Sequence, residues 1–91
     1  MKNDRISYAI AFCSYLVERI GGIRSVILFG STARDNANKE SDIDIFIDTT
    51  NAKQSQINKI VNSFYDSQVY KLWSLKGVKN PISVIVGDLE S

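Results

Sequence analysis

Two short strands joined by a polar loop constrain this sequence most, because the second strand carries acids that folding alone does not explain. The first is an apolar run, Val26–Phe29, which is too short for a helix and ends at Gly30. This run predicts a strand that is buried on both faces. The second, Asp42–Asp48, alternates strictly, so it predicts a strand with isoleucines on one face and mainly aspartates on the other.

Asp42 and Asp44 share one face of the second strand, where aspartate is disfavoured and neighbouring carboxylates repel. A bound cation explains this arrangement. Two residues along a strand separate the Cα atoms by about 6.6 Å, which lets both carboxylates hold one Mg²⁺. A second metal ion about 3.5–4 Å away also fits such a pair. Asp48 lies about 13 Å along the strand from Asp44, so we expect it to be a strand end entering a turn.

Gly30 and Ser31 lie where the first strand gives way to an expected helical turn at Thr32–Arg34. A glycine lets the backbone approach a ligand closely, and the free N–H groups at a helix start favour phosphate oxygens. Ser31 could instead be an ordinary helix N-cap. Because an Asp-x-Asp strand follows, the pair predicts a phosphate cradle that faces a metal site.

Leu28–Arg34 and Ser41–Ile45 together resemble the signature of the DNA polymerase beta superfamily of nucleotidyltransferases. They are most similar to its small prokaryotic members, the minimal nucleotidyltransferase domains. The resemblance implies a Mg²⁺-dependent transfer of a nucleoside monophosphate from a nucleoside triphosphate to a hydroxyl acceptor. By matching position it implies triphosphate contact for Gly30 and Ser31, metal binding for Asp42 and Asp44, and charge neutralisation for Arg34.

The sequence departs from the superfamily pattern at two positions. Asp35 stands where a glycine often follows the arginine. On the last predicted strand, Ile82–Val86, Ser83 matches a third carboxylate that usually completes the metal site and draws the proton from the attacking hydroxyl. Serine is an uncharged, poor ligand and no base near neutral pH. Asp88 could substitute only if a turn brought it back, because it lies about 16 Å beyond Ser83 in an extended strand.

Two amphipathic helices are predicted to pack on the sheet. The first spans about Asn3 to Ile20 and the second about Lys53 to Tyr65. On the first, Cys13 lies on the stripe expected to be buried, so it is a core residue rather than a reactive thiol. The residues expected to be buried are Ile6, Ile10, Cys13, Val17 and Ile20, flanked by Ala9 and Leu16, on the first helix, and Ile57, Ile60, Val61 and Phe64 on the second.

These elements predict an α+β (α/β) fold with a small mixed sheet backed on one side by two helices. The resemblance implies the nucleotidyltransferase (polymerase beta palm-like) fold. Ile43, Ile45 and Ile47 should meet the helices, and the aspartates should open to solvent on the opposite face.

Residues 69–79 interleave aromatic rings with lysines. This pattern could stack bases and hold phosphates, or it could anchor a protein partner at Tyr70 and Trp73. We favour a strand with its aromatic residues inside and its lysines guarding an edge. The alternation of Tyr70 and Leu72 is broken at Trp73.

The composition is that of an ordinary globular protein. Its 91 residues predict a single domain, 1–91, and the net charge of +1 gives no basic field that would indicate nucleic acid. With one cysteine and no histidine, an internal disulfide, a zinc cluster and imidazole-based catalysis are excluded. No apolar run approaches the roughly 20 residues needed to cross a bilayer and no signal peptide begins the chain, so the cytoplasm is the expected location.

Three hypotheses follow from the sequence. The first is the Mg²⁺-dependent nucleotidyltransferase, with a nucleoside triphosphate of unspecified base as substrate. The second is a nucleotide- or partner-binding module that has lost turnover, as Ser83 suggests. The chain resembles in size the minimal nucleotidyltransferases that act as antitoxins, and a protein partner or a homodimer would add stability. The third is a small α/β domain whose Asp-x-Asp is a solvated strand face, which the combined order of motifs disfavours.

Overall fold

The computed structural model describes residues 4–29 and 42–88 of the chain. The two predicted helices and the three predicted strands of the sheet form, with bounds that agree to about one residue. One further helix occupies part of the aromatic and lysine-rich segment. The elements in order are α1 (Asp4–Arg19), β1 (Ser25–Phe29), β2 (Ile43–Asp48), α2 (Gln54–Tyr65), α3 (Gln68–Leu75) and β3 (Ile82–Gly87).

The strands form the predicted mixed sheet, and β2 lies in its centre. β1 pairs with β2 antiparallel, whereas β3 pairs with β2 parallel. The C-terminal end of β1 therefore lies at the same end of the sheet as the N-terminal ends of β2 and β3. Phe29 of β1, Asp44 of β2 and Ser83 of β3 stand in one cross-strand row there.

The core lies between one face of the sheet and the helices. Ile43, Ile45 and Ile47 are fully buried, which confirms the predicted direction of the isoleucine face. An aromatic cluster packs over them, with the rings of Phe12 and Phe64 edge to face at 5.1 Å between centroids. The buried residues of α2 are Ile57, Val61 and Phe64, with Ile60 partly buried, as predicted.

The predicted buried stripe of α1 is only partly right, because its flanking residues Ala9 and Leu16 are buried but its other members are not. The buried residues are Tyr8, Ala9, Phe12 and Leu16, whereas Ile10 and Val17 are 57% and 52% exposed. The true face is rotated by roughly 100° around the helix axis from the predicted one. α1 is apolar on both sides, and the large rings of Tyr8 and Phe12 take the interior because they fill the space beside Phe64.

The strand predicted within residues 69–79 is also wrong, because Gln68–Leu75 forms α3. Ser67 caps this helix by accepting a hydrogen bond from the Tyr70 N–H at 3.2 Å. Tyr70 and Trp73 are three residues apart, so both turn towards the core, where each ring packs against Tyr8. Because both rings pack against Tyr8 and are partly buried, the surface centred on Tyr70 and Trp73 that we considered for bases or a partner is disfavoured.

β1 does not have the two buried faces that its composition predicted. It is an edge strand, and none of its residues is fully buried. Val26 and Leu28 face the helices and are half-buried, whereas Ile27 faces outward and is 42% exposed. An apolar run of four residues is compatible with either position, so composition alone could not decide between them.

A single domain over residues 1–91 stays a prediction. None of the helices within the described ranges has the length and apolar character needed to span a membrane.

Candidate functional site

Within the described residues, no helix packs on the second face of the sheet, which is called the open face below. Its side chains form three cross-strand rows. β2 contributes Asp44, Phe46 and Asp48 to this face because they alternate with the buried isoleucines. The register of β1 and β3 then fixes the neighbours. The rows are Phe29–Asp44–Ser83, Ile27–Phe46–Ile85 and Ser25–Asp48–Gly87.

The first row, called the acid row below, holds Asp44, one of the two predicted acids. Asp44 is half-buried at the start of β2, and Asp42 is exposed immediately before the strand. Within the described ranges, no cationic side chain forms an ion pair with Asp44. Asp42 is exposed and Asp44 is half-buried, so an ion can approach both carboxylates from solvent.

This donor set fits Mg²⁺ in one particular way. Among residues 4–29 and 42–88, no three His, Cys, Asp or Glu side chains come together as a metal site. Mg²⁺ is commonly held by one or two carboxylates, with its other ligands supplied by waters and substrate phosphates. Asp42 and Asp44 match that kind of site rather than an all-protein cage.

The predicted phosphate cradle and the arginine beside it lie outside the described residues. These are Gly30, Ser31 and Arg34, and their roles stay predictions. Phe29 is the last described residue before them and stands directly opposite Asp44. The chain therefore enters the Gly30–Ser31 segment at the end of the sheet that carries the acids.

Ser83 lies beside the acids, at the position where the sequence comparison with the superfamily expected a third carboxylate. It is paired in register with Asp44 on the neighbouring strand and is half-buried. A shallow polar groove next to it is lined by Asn58 and Asn62 of α2. The row of Ser83 contains Asp44 and Phe29. It therefore holds no further carboxylate that could take the place of the expected third one.

Asp88 does not return to the acid row. Its carboxylate accepts a hydrogen bond from Arg24 Nη2 at 2.5 Å, beyond the far end of β3. The sequence left open whether a turn could bring Asp88 back to Ser83, and the structure excludes this because β3 stays extended to Gly87. Glu90 lies outside the described residues.

The third row, Ser25–Asp48–Gly87, contains part of an ion-pair network that was not predicted from the sequence. Arg24 Nη2 donates to Asp48 Oδ1 at 2.7 Å, and Asp48 is only 6% exposed. Ser25 Oγ adds a longer contact of 3.4 Å to Asp48 Oδ2. Asp48 is the strand end that was predicted, but its role in the structure is to hold Arg24, and Arg24 joins it to Asp88.

Only one thiol is present, and its environment supports the prediction that Cys13 is structural. Cys13 is partly buried in the groove between α1 and β1, beside Val26 and Leu28. Burial raises the pKa of the Cys13 thiol to about 11, so the reactive thiolate is scarce at neutral pH.

A mixed three-stranded sheet with its helices on one face is consistent with the nucleotidyltransferase class of fold. The family model for the nucleotidyltransferase domain matches residues 12–89, and the chain therefore belongs to that family. The membership gives nucleotidyl transfer as the general chemistry and a nucleotide as the substrate class. Comparison with curated proteins and with solved structures found no match.

Proposed function

We propose that this domain is a Mg²⁺-dependent nucleotidyltransferase that moves a nucleoside monophosphate from a nucleoside triphosphate to a hydroxyl acceptor. The observation that carries the proposal is the position of Asp42 and Asp44. They lie at the open end of the sheet where β1 leads into Gly30 and Ser31. Two acids and a glycine-serine corner at one end of a small sheet suit a bound triphosphate.

Each residue has a distinct role in this proposal. Asp42 and Asp44 hold Mg²⁺, which when bound neutralises charge on the triphosphate and the departing pyrophosphate. The backbone at Gly30 and Ser31 binds phosphate oxygens, and Arg34 adds positive charge beside them. The buried isoleucines of β2 fix the direction of the acids, so the carboxylates are oriented before the nucleotide arrives.

The proposed reaction is an in-line displacement at the α-phosphorus. The acceptor hydroxyl oxygen forms a new bond to that phosphorus, and the bond from the phosphorus to the oxygen leading to the β-phosphorus breaks. Pyrophosphate leaves with the electrons of the broken bond, and the hydroxyl proton passes to solvent. Ser83 does not take the proton near neutral pH, because a serine hydroxyl is not a base in that range.

Ser83 favours a second candidate function. With serine opposite Asp44, the domain could bind a nucleotide and a partner without turning the nucleotide over. The antitoxin half of a toxin–antitoxin pair is one such module. Binding and turnover must therefore be measured separately.

Calorimetric titration with a non-hydrolysable nucleoside triphosphate analogue tests the binding half of the proposal. We expect Mg²⁺-dependent binding to weaken by at least about 100-fold in the double variant Asp42→Asn with Asp44→Asn, since even indirect support of a metal site is worth 10–100-fold. Asp66→Asn removes one exposed carboxylate after α2 and is the charge control. Equal binding by the double variant and the wild type would remove the metal site.

Turnover is tested with labelled nucleoside triphosphates and candidate hydroxyl acceptors. Released pyrophosphate together with a labelled acceptor supports the enzyme, and binding without either product supports the module. The variant Ser83→Asp tests how the serine at this position affects turnover. A gain of activity would identify a degenerate site, whereas a loss from an active wild type would mean that the serine is needed where it stands.

A further inference from the structure

The middle row of the open face is apolar although it faces solvent. Ile27 and Ile85 are 42% and 49% exposed, and Phe46 is half-buried between them. Single exposed apolar residues are common on proteins. Here three side chains lie side by side across all three strands, where neighbouring Cβ atoms are about 4.5–5.5 Å apart. Ile27, Phe46 and Ile85 are called the apolar row below.

Gly87 leaves room for the ring of Phe46, a member of the apolar row, to lie close to the backbone of the sheet. A Cβ atom at this position would lie 2.8 Å from Cζ and 3.1 Å from Cε2 of Phe46. The Phe46 ring therefore leans over the Gly87 backbone, in space that any larger residue would take. Glycine weakens a strand interior and often marks a place where another group approaches closely. In this sheet that group is the ring of Phe46.

The apolar row has different neighbours on its two sides. On one side, two residues along each strand or about 6.8 Å away, lies the row with Asp44 and Ser83. On the other side, the Arg24–Asp48 ion pair closes the face. A ligand whose anionic end is held through Mg²⁺ at the acids has the apolar row immediately behind it.

We propose that the apolar row binds the nucleobase of the nucleotide whose phosphates lie at Asp42 and Asp44. This inference rests on the proposed function. A nucleobase is flat and its faces are apolar, and stacking on an aromatic side chain contributes about 1–3 kcal/mol per base. The ribose then spans the distance from the acid row to the apolar row.

The chemistry of the row also predicts what the site does not distinguish. None of Ile27, Phe46 and Ile85 carries a side-chain hydrogen-bond donor or acceptor, so the row touches the face of a base without reading its edge. Purines should bind more tightly than pyrimidines because they offer more stacking area. Adenine and guanine nucleotides should bind within a few-fold of each other.

Two ligands separate this inference from the proposed function. One is a non-hydrolysable nucleoside triphosphate analogue, and the other is inorganic tripolyphosphate, which has no base; both are titrated with Mg²⁺ by calorimetry. We expect the nucleotide to bind the wild type more tightly than tripolyphosphate does. Phe46→Ala should weaken nucleotide binding about 5- to 150-fold, the range that 1–3 kcal/mol represents, and leave tripolyphosphate unchanged. Leu72→Ala, at a 62% exposed position on α3, is the matched apolar control.

Gly87→Ala is a second variant that leaves the acids and the apolar row in the sequence. The added Cβ should lift the Phe46 ring and weaken nucleotide binding several-fold, again without changing tripolyphosphate binding. Circular dichroism checks that each variant is folded.

The outcomes are distinct. If the wild type binds neither ligand, the proposed function fails and this inference fails with it. If the wild type binds the nucleotide and Phe46→Ala binds it equally well, the inference alone is overturned. A wild type that binds tripolyphosphate as tightly as the nucleotide overturns it too, as does a greater than about tenfold preference between adenine and guanine.

Discussion

Asp44 and Asp48 lie on one strand and one face, yet they should respond in opposite ways to the same substitution. Asp48 is buried and bonded to Arg24, whereas Asp44 forms no ion pair within the described ranges. We expect Asp48→Asn to lower the free energy of unfolding and to leave the nucleotide site intact. Asp44→Asn should leave the free energy of unfolding nearly unchanged and disrupt the nucleotide site. A strand aspartate beside another acid contributes little to folding.

The size of the Asp48 effect follows from its contacts. The bond from Arg24 Nη2 at 2.7 Å is charge-assisted, and a longer contact from Nε at 3.4 Å accompanies it. Hydrogen bonds to charged groups contribute about 1.5–3 kcal/mol. Loss of one partner from a fully buried ion pair costs about 3–5 kcal/mol, but the Arg24 side chain is 32% exposed and is partly solvated. We therefore expect Asp48→Asn to destabilise the domain by about 2–3 kcal/mol.

Urea denaturation followed by circular dichroism measures this difference. A loss of 2–3 kcal/mol should lower the urea midpoint by about 1–2 M and the melting temperature by about 10–20 °C for a domain of this size. Asp44→Asn should stay within about 0.5 kcal/mol of the wild type. Calorimetry on the same samples, below the midpoint of the weaker variant, measures Mg²⁺-nucleotide binding.

Two results would refute the reasoning. A change below about 0.5 kcal/mol in Asp48→Asn would mean that the ion pair contributes no more than an exposed one. A loss of stability in Asp44→Asn equal to that in Asp48→Asn would mean that Asp44 is a folding residue. The distinction between a structural and a ligand-binding aspartate on β2 would then be lost.

Two further predictions concern groups outside the site. Because burial raises the pKa of Cys13 from 9.0 to about 11, its contribution to stability is fully present below pH 9 and is lost as the pH rises towards 11. In urea titrations at pH 8 and pH 10.5, the stability of the wild type relative to Cys13→Ala should therefore fall at the higher pH, and a constant difference would contradict this. Gln54 covers the outer edge of β3, since its amide donates to the Val84 carbonyl at 2.8 Å and accepts from the Val86 N–H at 3.0 Å. Gln54→Ala should cost about 1–2 kcal/mol and increase self-association in sedimentation velocity, whereas Gln68→Ala should do neither.

The sequence predicted best where one pattern had only one physical solution. The strict alternation of Ile43, Ile45 and Ile47 fits a strand with one buried face and nothing else, and β2 has that form. The direction of Asp44 follows from the same alternation. Placing Ser83 on the strand beside β2 came from the resemblance, and the register pairs Ser83 with Asp44.

The sequence predicted poorly where two solutions were equally periodic. α1 carries two apolar stripes, and only the aromatic cluster around Phe64 decides which of them is buried. The segment that forms α3 is rich in residues that favour β-strands, so a strand was predicted there. The i, i+3 spacing of Tyr70 and Trp73, which is typical of a helix, was given less weight. The Arg24–Asp48–Asp88 network joins residues far apart in the chain, so no local pattern could reveal it.

The hydrophobic pattern of β2 also explains why its acids are held on the face opposite the core. A slip of β2 by one residue would exchange its two faces, bringing Asp44 and Asp48 into the core and the isoleucines into water. Burying Ile43, Ile45 and Ile47 contributes about 1.5–3 kcal/mol each, so exposing them alone would cost about 5–9 kcal/mol. That is comparable to the whole stability expected of a small domain. The orientation of the acids is therefore enforced by the core, and no separate interaction is needed to hold Asp44 towards the open face.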